Sequence, residues 1–399
     1  MYIADVVKPS GGGDDGLVIL RYEEVPIKRN AHEREASMRP GVLRSEPASM
    51  CFVLLTGIGD VVHGLPVVNA IRSRWPELRI TWVAEPAPAE VLRHHPAVDD
   101  IVVFRKADGF AGIRRLAGEL RLHAPFDVTF NAQRYFKSVW PTVFSRARVR
   151  VGLPRDKTRD GVSLFNTHHL PDGPWQHTQD MFLGVLDLLG VGRPGKLEWS
   201  ITLSSEEEAE AAAFFRAHDP DGSARGNADR PRVGLVTGTA NPAKDWPGER
   251  YPPLADVLGR AGWRVYLLGG PGEREREVAT RTMERARVRP VPAMADSVRE
   301  LIWKIRGMDL LISPDTGPVH IARALGVPVI GLYGHTNPWR VGPHRAFDDL
   351  VVDAYTDPGD EPDASRYEPK SGRMETIEVD DVLARVERVR RHYGIAPVD

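Results

Sequence analysis

Short apolar segments alternate with helix-like segments along most of this chain, and the whole alternation occurs twice. The first series of predicted strands comprises Met50–Leu55, Ile80–Ala84, Ile101–Phe104, Val128–Asn131 and Val149–Gly152. The second series comprises Arg232–Val236, Arg264–Leu268, Val288–Val291, Leu310–Ser313 and Val327–Leu332. Hairpin signals are missing between the strands, as is typical of parallel, doubly wound sheets. The sequence therefore predicts an α/β protein with two such domains facing across a cleft, where the strands' carboxyl ends bind ligands.

The chain divides into three predicted parts. Residues 1–48 contain a glycine-rich run and are expected to form a partly disordered extension. Residues 49–195 are expected to form the first domain, and residues 196–399 the second, which carries a polar insert at Asp219–Arg230. The division also allows the last long helix, Val379–Arg391, to pack back on the first domain.

Composition excludes several classes of protein. Lys and Arg total 53 against 55 Asp and Glu, so the net charge of −2 does not favour nucleic-acid binding through bulk charge. An apolar stretch of about 18 residues, the minimum for a membrane span, does not occur. The N-terminus lacks a signal-peptide pattern, which predicts a cytoplasmic protein. The single cysteine, Cys51, excludes an intramolecular disulfide.

The first candidate site is the segment Thr56–Asp60, directly after the first strand. Its glycines allow a tight turn, and Asp60 places a carboxylate at the strand's carboxyl end, where it can act as a general base. The alternative is that Asp60 only caps the next helix. Because proline is tolerated near a helix start, Pro66 predicts that the regular helix begins around His63–Leu65.

Two further candidates follow strands of the second domain. In the segment 236–247, small and hydroxyl residues such as Thr239 expose backbone N–H groups, and Lys244 can reach an anion. In the segment 313–320, Thr316 and Gly317 lie at a helix N-terminus, which favours phosphate, and His320 follows one turn later. The alternatives are a solvated Lys244, and an Asp315 that only caps the helix with His320 packed beneath it.

A weaker candidate is the turn Leu268–Glu273, whose carboxylate can hydrogen-bond a ribose. The alternative is an ordinary turn, since its composition is rich in turn-forming residues. The donor-side motifs contain a lysine, a histidine and a helix N-terminus but no cluster of carboxylates suited to Mg²⁺ or Mn²⁺. We therefore expect no metal site and no bound cofactor.

Together these motifs resemble glycosyltransferase family 9, the ADP-heptose:lipopolysaccharide heptosyltransferases, over roughly residues 50–390. The matching segments are Ile58–Pro66, Phe126–Val128, Gln133–Ser138, Lys244–Pro247, Asp315–His320, Gly326–Pro328 and Gly331–Pro338. Many members carry Arg-Leu-Ser where this chain has Leu54-Leu55-Thr56, so one expected positive charge is missing. The resemblance implies the GT-B architecture of two Rossmann-like domains, with an N-terminal acceptor domain and a C-terminal nucleotide-sugar donor domain.

The resemblance also implies a role for each matching residue. Asp60 would be the catalytic base of an inverting, metal-independent transfer of a heptose or related sugar from an ADP-sugar. The residues implied to bind the donor are Thr239, Lys244, Glu273 (ribose), Met294 (near adenine), Asp315, Thr316, Gly317 and His320. The residues implied to bind the acceptor are Gly59, His63, Gln133 and Lys137. The ADP-sugar would be a co-substrate.

The charge of the first domain gives an independent indication of the acceptor. Residues 101–160 contain 13 Lys or Arg against 5 Asp or Glu, a local charge of +8. Such a field would steer an anionic sugar or glycolipid, such as one that bears Kdo or phosphate, and would favour peripheral contact with the inner face of the membrane. The alternative is a solvated basic face. Two other functions stay open: a sugar-nucleotide epimerase or hydrolase, and a catalytically silent module that binds an ADP-sugar.

Overall fold

Two six-stranded parallel sheets form the frame of the computed structural model, which describes residues 2–6, 20–24, 41–218 and 230–397. A separate antiparallel pair joins β1 (Tyr2–Val6) to β2 (Leu20–Glu24). The rest of the segment 1–40 and residues 219–229 lie outside the described residues, so most of the predicted extension and of the polar insert stays a prediction.

The first domain holds a sheet whose strands run in the order β5-β4-β3-β6-β7-β8. Its strands are β3 (Ser49–Val53), β4 (Arg79–Ala84), β5 (Asp100–Val103), β6 (Val128–Asn131), β7 (Val149–Gly152) and β8 (His168–His169). Its helices are α1 (Ile58–Arg74), α2 (Pro86–Ala89), α3 (Gly109–Arg121), α4 (Val139–Phe144) and α5 (Thr178–Leu189). Phe52 and Trp82 stack across β3 and β4 with ring centroids 4.1 Å apart, in the core beneath α1.

The second domain repeats this order as β11-β10-β9-β12-β13-β14. Its strands are β9 (Arg232–Val236), β10 (Arg264–Leu268), β11 (Val291–Pro292), β12 (Leu310–Pro314), β13 (Val329–Tyr333) and β14 (Val352–Asp353). Its helices are α6 (Ser205–His218), α7 (Tyr251–Arg260), α8 (Glu273–Arg285), α9 (Val298–Arg306), α10 (Gly317–Leu325), α11 (Pro338–Val341) and α12 (Val379–Tyr393).

The repeated strand order positions the candidate site. In both sheets the order reverses beside the first strand, between β3 and β6 and between β9 and β12. The carboxyl ends of neighbouring parallel strands at such a switch point leave a crevice, which is where ligands of these sheets bind. The segments that the sequence analysis selected after β3, β9 and β12 all lie at these two crevices. The predicted α/β fold with two doubly wound parallel sheets is confirmed.

One prediction about the start of a helix is wrong. Helix α1 begins at Ile58 rather than at His63–Leu65, and Pro66 lies inside it. Proline removes only one N–H bond from a long helix, and α1 keeps nine buried residues that stabilise it. The last helix, α12, packs on the second domain, where Arg385 donates to the carbonyl of Val351 and Tyr393 to Asp349. That this helix also packs on the first domain stays a prediction.

The link between the domains contacts both of them. Asn69 of α1 donates to the carbonyl of Glu198, and His95 bonds that of Trp199 at 2.8 Å. The guanidinium of Arg323, on α10, lies 4.3 Å from the Trp199 ring. Because these residues contact both domains, the predicted boundary between residues 195 and 196 stays a prediction.

Candidate active site

Side chains of the first domain form hydrogen bonds with the segment between β3 and α1. The amide oxygen of Gln133 accepts hydrogen bonds from the backbone N–H groups of Leu55 and Thr56, at 2.9 and 3.1 Å. Lys137 donates to Thr56 Oγ1 and pairs with Glu85 at 2.8 Å. These bonds fix the approach to Gly57, whose φ of 86° lies in the left-handed region that favours glycine. The turn therefore delivers Asp60 to the first turn of α1.

The N-termini of α1 and α10 meet at the boundary between the two domains. A Cβ on Gly59 would lie 2.4 Å from Cδ2 of His320, and a Cβ on Gly317 would lie 2.9 Å from Cγ2 of Ile58. Both contacts therefore require glycine. Helix N-termini present unpaired N–H groups and a positive dipole end, so their approach creates a place suited to an anion.

Asp60 lies in this contact region as an unpaired carboxylate. It is partly buried, and within the described part of the chain it accepts no hydrogen bond. Burial raises the pKa of Asp60 to about 6, although Arg340 and Lys244 act in the opposite direction. A carboxylate with a pKa close to neutrality is suited to accept a proton from a hydroxyl group.

Asp315 and Lys244 form the centre of the donor-side cluster. Lys244 Nζ donates to Asp315 Oδ2 at 2.7 Å, and Thr336 donates to the same oxygen. Burial alone would raise the pKa of Asp315, but Lys244, His320 and Thr336 hold it below its usual range. Asp315 therefore does not cap α10, and Lys244 is not a solvated surface residue.

A second group of contacts orders the segments after β9 and β10. Asp245 accepts from the backbone N–H and the hydroxyl of Thr239, at 2.7 and 2.8 Å. Glu275 accepts from the N–H of Gly270, and Met294 packs against the neighbouring glycine, Gly269. Glu273, the residue predicted from sequence, is exposed at the start of α8. Glu275, two residues later, is the carboxylate that the turn encloses.

Four histidines, which we call the histidine seam, line the domain boundary beneath this site: His63, His177, His320 and His344. The ring of His63 contacts those of His320 and His177, with centroids 4.5 and 5.4 Å apart, and His177 contacts His344 at 4.6 Å. Burial lowers the pKa of His320 to about 4 and that of His177 to about 3, and it lowers that of His63 well below its ordinary value. These three imidazoles are neutral at pH 7.

Comparison with known proteins identifies the fold and the family. The model of "Glycosyltransferase family 9 (heptosyltransferase)" matches residues 113–359, more than half of the chain. The chain belongs to glycosyltransferase family 9. It is therefore a glycosyltransferase, as the sequence motifs predicted.

Similar proteins share most of their length with this glycosyltransferase. The lipopolysaccharide core heptosyltransferase OpsX of Haemophilus influenzae is 27% identical over 306 residues, which cover 76% of this chain and 84% of the relative. Lipopolysaccharide heptosyltransferase 1 of Pseudomonas aeruginosa is 29% identical, covering 73% and 79%.

Solved structures show the same fold. A family 9 glycosyltransferase from Veillonella parvula superposes with a TM-score of 0.73 at 23% identity, covering 86% of this chain and 97% of that one. The E. coli heptosyltransferase WaaC with ADP gives a TM-score of 0.64 at 22% identity, covering 85% and 99%.

Two arginines act on Asp60 in this glycosyltransferase. Arg134 belongs to the basic region 101–160 that the sequence analysis connected with the acceptor, whereas sequence reasoning missed Arg340. Arg340 exerts the largest attractive charge effect on Asp60, and Arg134 acts in the same direction. Trp175 and Tyr367 stack with centroids 4.6 Å apart, and both guanidiniums lie within 5 Å of the Tyr367 ring centroid. Arg134 also donates to the Tyr367 hydroxyl, so this stack joins the domains.

Arg340 differs from Arg134 in its hydrogen bonds, since Arg134 donates to the carbonyl of Lys157 and to the Tyr367 hydroxyl. Within the described ranges the Arg340 guanidinium forms no hydrogen bond or ion pair, and its buried Nε is unsatisfied. Burial lowers the pKa of Arg340. Arg340 lies two residues after the family-like segment Gly331–Pro338, in the four-residue helix α11, which is too short to show a helical period in the sequence.

The predicted acceptor residues do not share one open surface. Gln133 and Lys137 support the turn before Asp60, while Gly59 packs on His320. His63 is buried and bonds Gln179 at 3.1 Å. Their geometry supports a role in positioning Asp60 more directly than a role in contacting the acceptor.

One group of side chains in the described residues has the composition of a metal site. His177, Asp180 and His344 bring potential ligand atoms within 4.8 Å of one another. His177 Nδ1 accepts from the N–H of Gln179, so Nε2 carries the proton and donates to the carbonyl of Gly342. Because both nitrogens of His177 are engaged in these bonds, we assign no metal here. No helix in the described ranges is long and apolar enough to cross a membrane.

Proposed function

We propose that this glycosyltransferase moves a heptose from ADP-heptose to a hydroxyl group of an anionic core glycolipid, with inversion and without a metal ion. The observation that carries the proposal is the unpaired Asp60 carboxylate facing the Lys244–Asp315 cluster across the domain boundary. The similar proteins named above act in lipopolysaccharide synthesis, and one solved relative contains ADP. Residues 49–195 would bind the acceptor and residues 196–399 the donor.

Asp60 supplies the base in this proposal. With a pKa of about 6 it is mostly ionised at pH 7 and still basic enough to take the proton of an attacking hydroxyl. The acceptor oxygen forms its bond to the anomeric carbon while the bond from that carbon to the diphosphate oxygen breaks on the opposite face. The proton goes to Asp60 and the electron pair leaves with ADP.

The charge that grows on ADP is stabilised by groups of the second domain. Lys244 is the nearby cation, and the N–H groups at Thr316 and Gly317 open α10. His320 is neutral and therefore acts as a hydrogen-bond donor rather than as a cation. Fixed donors of this kind supply the stabilisation that a divalent cation supplies in other enzymes.

The metal-free character is supported by how the nearby carboxylates are used. Asp315 already accepts from Lys244 and Thr336, and Asp245 from Thr239. A Mg²⁺ ion needs carboxylate oxygens that are free to coordinate it. Lys244 Nζ lies 2.7 Å from Asp315 Oδ2 and Arg274 lies 3.6 Å from Asp245 Oδ2, so a positive charge already neutralises each carboxylate and opposes a second cation there.

The nucleotide end of the donor is assigned to the turn after β10. Met294, which packs on Gly269, would contact the adenine in this proposal, and Glu273 or Glu275 would bind the ribose. Glu275 is enclosed by the turn and orders it. Glu273 is exposed, so it is the weaker candidate for the ribose contact. The basic first domain and Arg340 favour an acceptor that carries a carboxylate or phosphate, such as a Kdo-bearing glycolipid, at the cytoplasmic face of the membrane.

An assay of ADP release tests the proposal. ADP-heptose is incubated with a deacylated, water-soluble Kdo acceptor in excess EDTA, and NMR determines the anomeric configuration of the product. We expect transfer with inversion at an unchanged rate in EDTA, and little release from GDP- or UDP-sugars. ADP release without acceptor would indicate a hydrolase or an epimerase. Binding of ADP without turnover would indicate a catalytically silent module. Loss of activity in EDTA that a divalent cation restores would exclude the metal-free mechanism.

A further inference from the structure

The exposed large apolar side chains of the described residues are confined to one stretch of the first domain. They lie between Phe110 and Leu164, and four of them fall within a span of 30 residues: Tyr135, Phe136, Val143 and Leu164. Leu164 leaves 84% of its surface exposed. Isolated exposed apolar residues are common on proteins, but a cluster of them indicates an interaction surface.

These side chains belong to one continuous surface, which we call the aromatic patch: Tyr135, Phe136, Trp140, Val143, Leu164 and Phe165. The Phe136 ring lies edge-on to Trp140 and to Phe165, with centroid distances of 6.3 Å in both cases. Val143 follows Trp140 by one turn of α4, and the 3₁₀ turn that carries Leu164 and Phe165 packs on that helix. Trp140 also packs against the core, which anchors the patch to the domain.

The aromatic patch borders the acceptor side of the active site. Arg134 and Lys137 flank Tyr135 and Phe136 in the chain. Arg134 faces Asp60, and Lys137 bonds Thr56, four residues before Asp60. A surface that contacts the patch therefore lies next to the place where the acceptor hydroxyl must be.

The charge around the patch is strongly positive. Residues 134–165 contain 8 Lys or Arg against 2 Asp or Glu. Arg146, Arg148, Arg155 and Arg159 are exposed. Aromatic and aliphatic side chains flanked by exposed cations suit an anionic bilayer surface, because the apolar groups enter the acyl boundary and the cations contact the headgroups.

We propose that the aromatic patch inserts into an anionic membrane leaflet and so presents Asp60 to a membrane-embedded acceptor. The inference rests on the proposed function, since it assumes that the acceptor is a glycolipid. It adds a hydrophobic contact with named residues to the electrostatic attraction that the basic region alone would give.

Vesicle binding by the full chain tests this proposal without any need for catalysis. Leu164→Ser and the double variant Phe136→Ser/Leu164→Ser are compared with Leu122→Ser, a control whose leucine is 83% exposed outside the patch. The probes are vesicles of phosphatidylcholine with and without phosphatidylglycerol. We expect wild type and Leu122→Ser to bind the anionic vesicles alike, and the double variant to bind at least about tenfold more weakly.

A second arm separates this proposal from the proposed function. The patch variants should transfer sugar normally to the deacylated acceptor and lose activity on an acceptor in vesicles. Equal vesicle binding by Leu164→Ser and Leu122→Ser, or no binding by wild type, would overturn the membrane proposal and leave transfer to the soluble acceptor intact. A patch-dependent dimer in sedimentation, without vesicle binding, would overturn it in favour of a protein interface. If the protein transferred sugar to no acceptor but still bound vesicles through the patch, the proposed function would be contradicted and the membrane proposal would stand.

Discussion

At the scale of single residues, the proposed mechanism depends on Asp60, a carboxylate that accepts no hydrogen bond from the residues that the structure describes. Asp60 lies among Arg340, Lys244 and Arg134, yet burial outweighs their attraction and raises its pKa. An ionised group held in this way destabilises the folded state, because the unfolded chain solvates it better. Base strength at Asp60 is thus obtained at the expense of stability.

Asp60→Asn should show both consequences. We expect turnover to fall by roughly 10²–10⁴, because the base is lost, while ADP binding is retained. The raised pKa of Asp60 destabilises the fold fully above about pH 6 and not below its unfolded value near 3.8. The variant should therefore melt at a higher temperature than wild type at pH 8 and at about the same temperature at pH 4. Calorimetry at both pH values and ADP-release kinetics measure this, and near-normal turnover would remove Asp60 from the role of base.

Arg340→Gln should move the pH profile. Arg340 is the largest attractive charge on Asp60, so its loss should raise the pKa of Asp60 and shift the acid limb of the rate upward by up to about 1 pH unit. Activity should then fall more at pH 6 than at pH 8. The control is Arg366→Gln, since Arg366 pairs with Asp360 on the exposed surface. An unshifted limb in Arg340→Gln would mean that this guanidinium does not act on Asp60.

Sequence reasoning found the residues that directly follow a strand and missed those in irregular loops. Asp60 and Asp315 could be predicted because the carboxyl end of a parallel strand is a fixed location. Arg340 and Tyr367 could not, since the four-residue helix α11 and the irregular segment of Tyr367 show no periodicity and reach the site only through tertiary packing. The sequence analysis selected Glu273, whereas the structure encloses Glu275 in the turn. The two residues lie in the first turn of a helix, where side chains two positions apart point about 200° away from each other, and the sequence does not show which of them faces the turn.

At the scale of elements, side-chain acceptors order the loops of the site. Gln133, Asp245 and Glu275 each bond backbone N–H groups of a turn that follows a strand. Such turns otherwise leave polar backbone groups without partners. The loops are therefore built before any ligand binds, which lowers the entropy lost on binding.

Glu275→Ala and Glu273→Ala form a matched pair at the start of α8. Removal of Glu275 leaves the Gly270 N–H without its acceptor and loosens the turn, so we expect ADP to bind about tenfold more weakly. Exposed Glu273 should tolerate the same change within about twofold. Calorimetric titration with ADP gives both values, and the opposite ranking would return the ribose contact to Glu273.

Most predicted strands match the structure to within two residues, but the strand predicted at Val288–Val291 forms at Val291–Pro292, and α5 was missed altogether. The strands Val128–Asn131, Arg232–Val236 and Arg264–Leu268 coincide with their predictions. Helix α5 is buried on most sides, with eight buried residues in twelve, so its sequence lacks a polar face that would reveal a helical period. Its existence depends on α1, against which it packs.

At the scale of the whole molecule, the histidine seam makes the domain contact sensitive to acid. The pKa values of His63, His177 and His320 are lowered by burial, so the unfolded chain binds more protons than the folded one below about pH 6.5. Stability from these groups is present above pH 6.5 and is lost as the pH falls toward 4. The raised pKa of Asp60 changes stability with pH in the opposite direction, but it involves one proton, whereas the three histidines involve three.

Removing one histidine from the seam should make the pH dependence shallower. In His63→Gln we expect the free energy of unfolding to fall less steeply between pH 6.5 and 4.5, by up to one proton's worth of slope. His168→Gln is the control, because His168 lies in β8 at the far edge of the first sheet. Parallel pH curves for His63→Gln and wild type would show that the seam does not titrate on unfolding.

The glycine contact between α1 and α10 also fixes the distance between Asp60, the proposed base, and the second domain. Because the helices touch at Gly59 and Gly317, the width of one methyl group separates the observed spacing from a wider one. Reactions between positioned groups are sensitive to displacements of about 1 Å, which can change rates about 10²-fold. Gly59→Ala should thus act as a spacer: stopped-flow measurements would show slowed transfer with ADP affinity nearly intact. One added carbon atom at position 59, which carries no charge and takes up no proton, would then slow transfer to a degree comparable with removal of the Asp60 carboxylate.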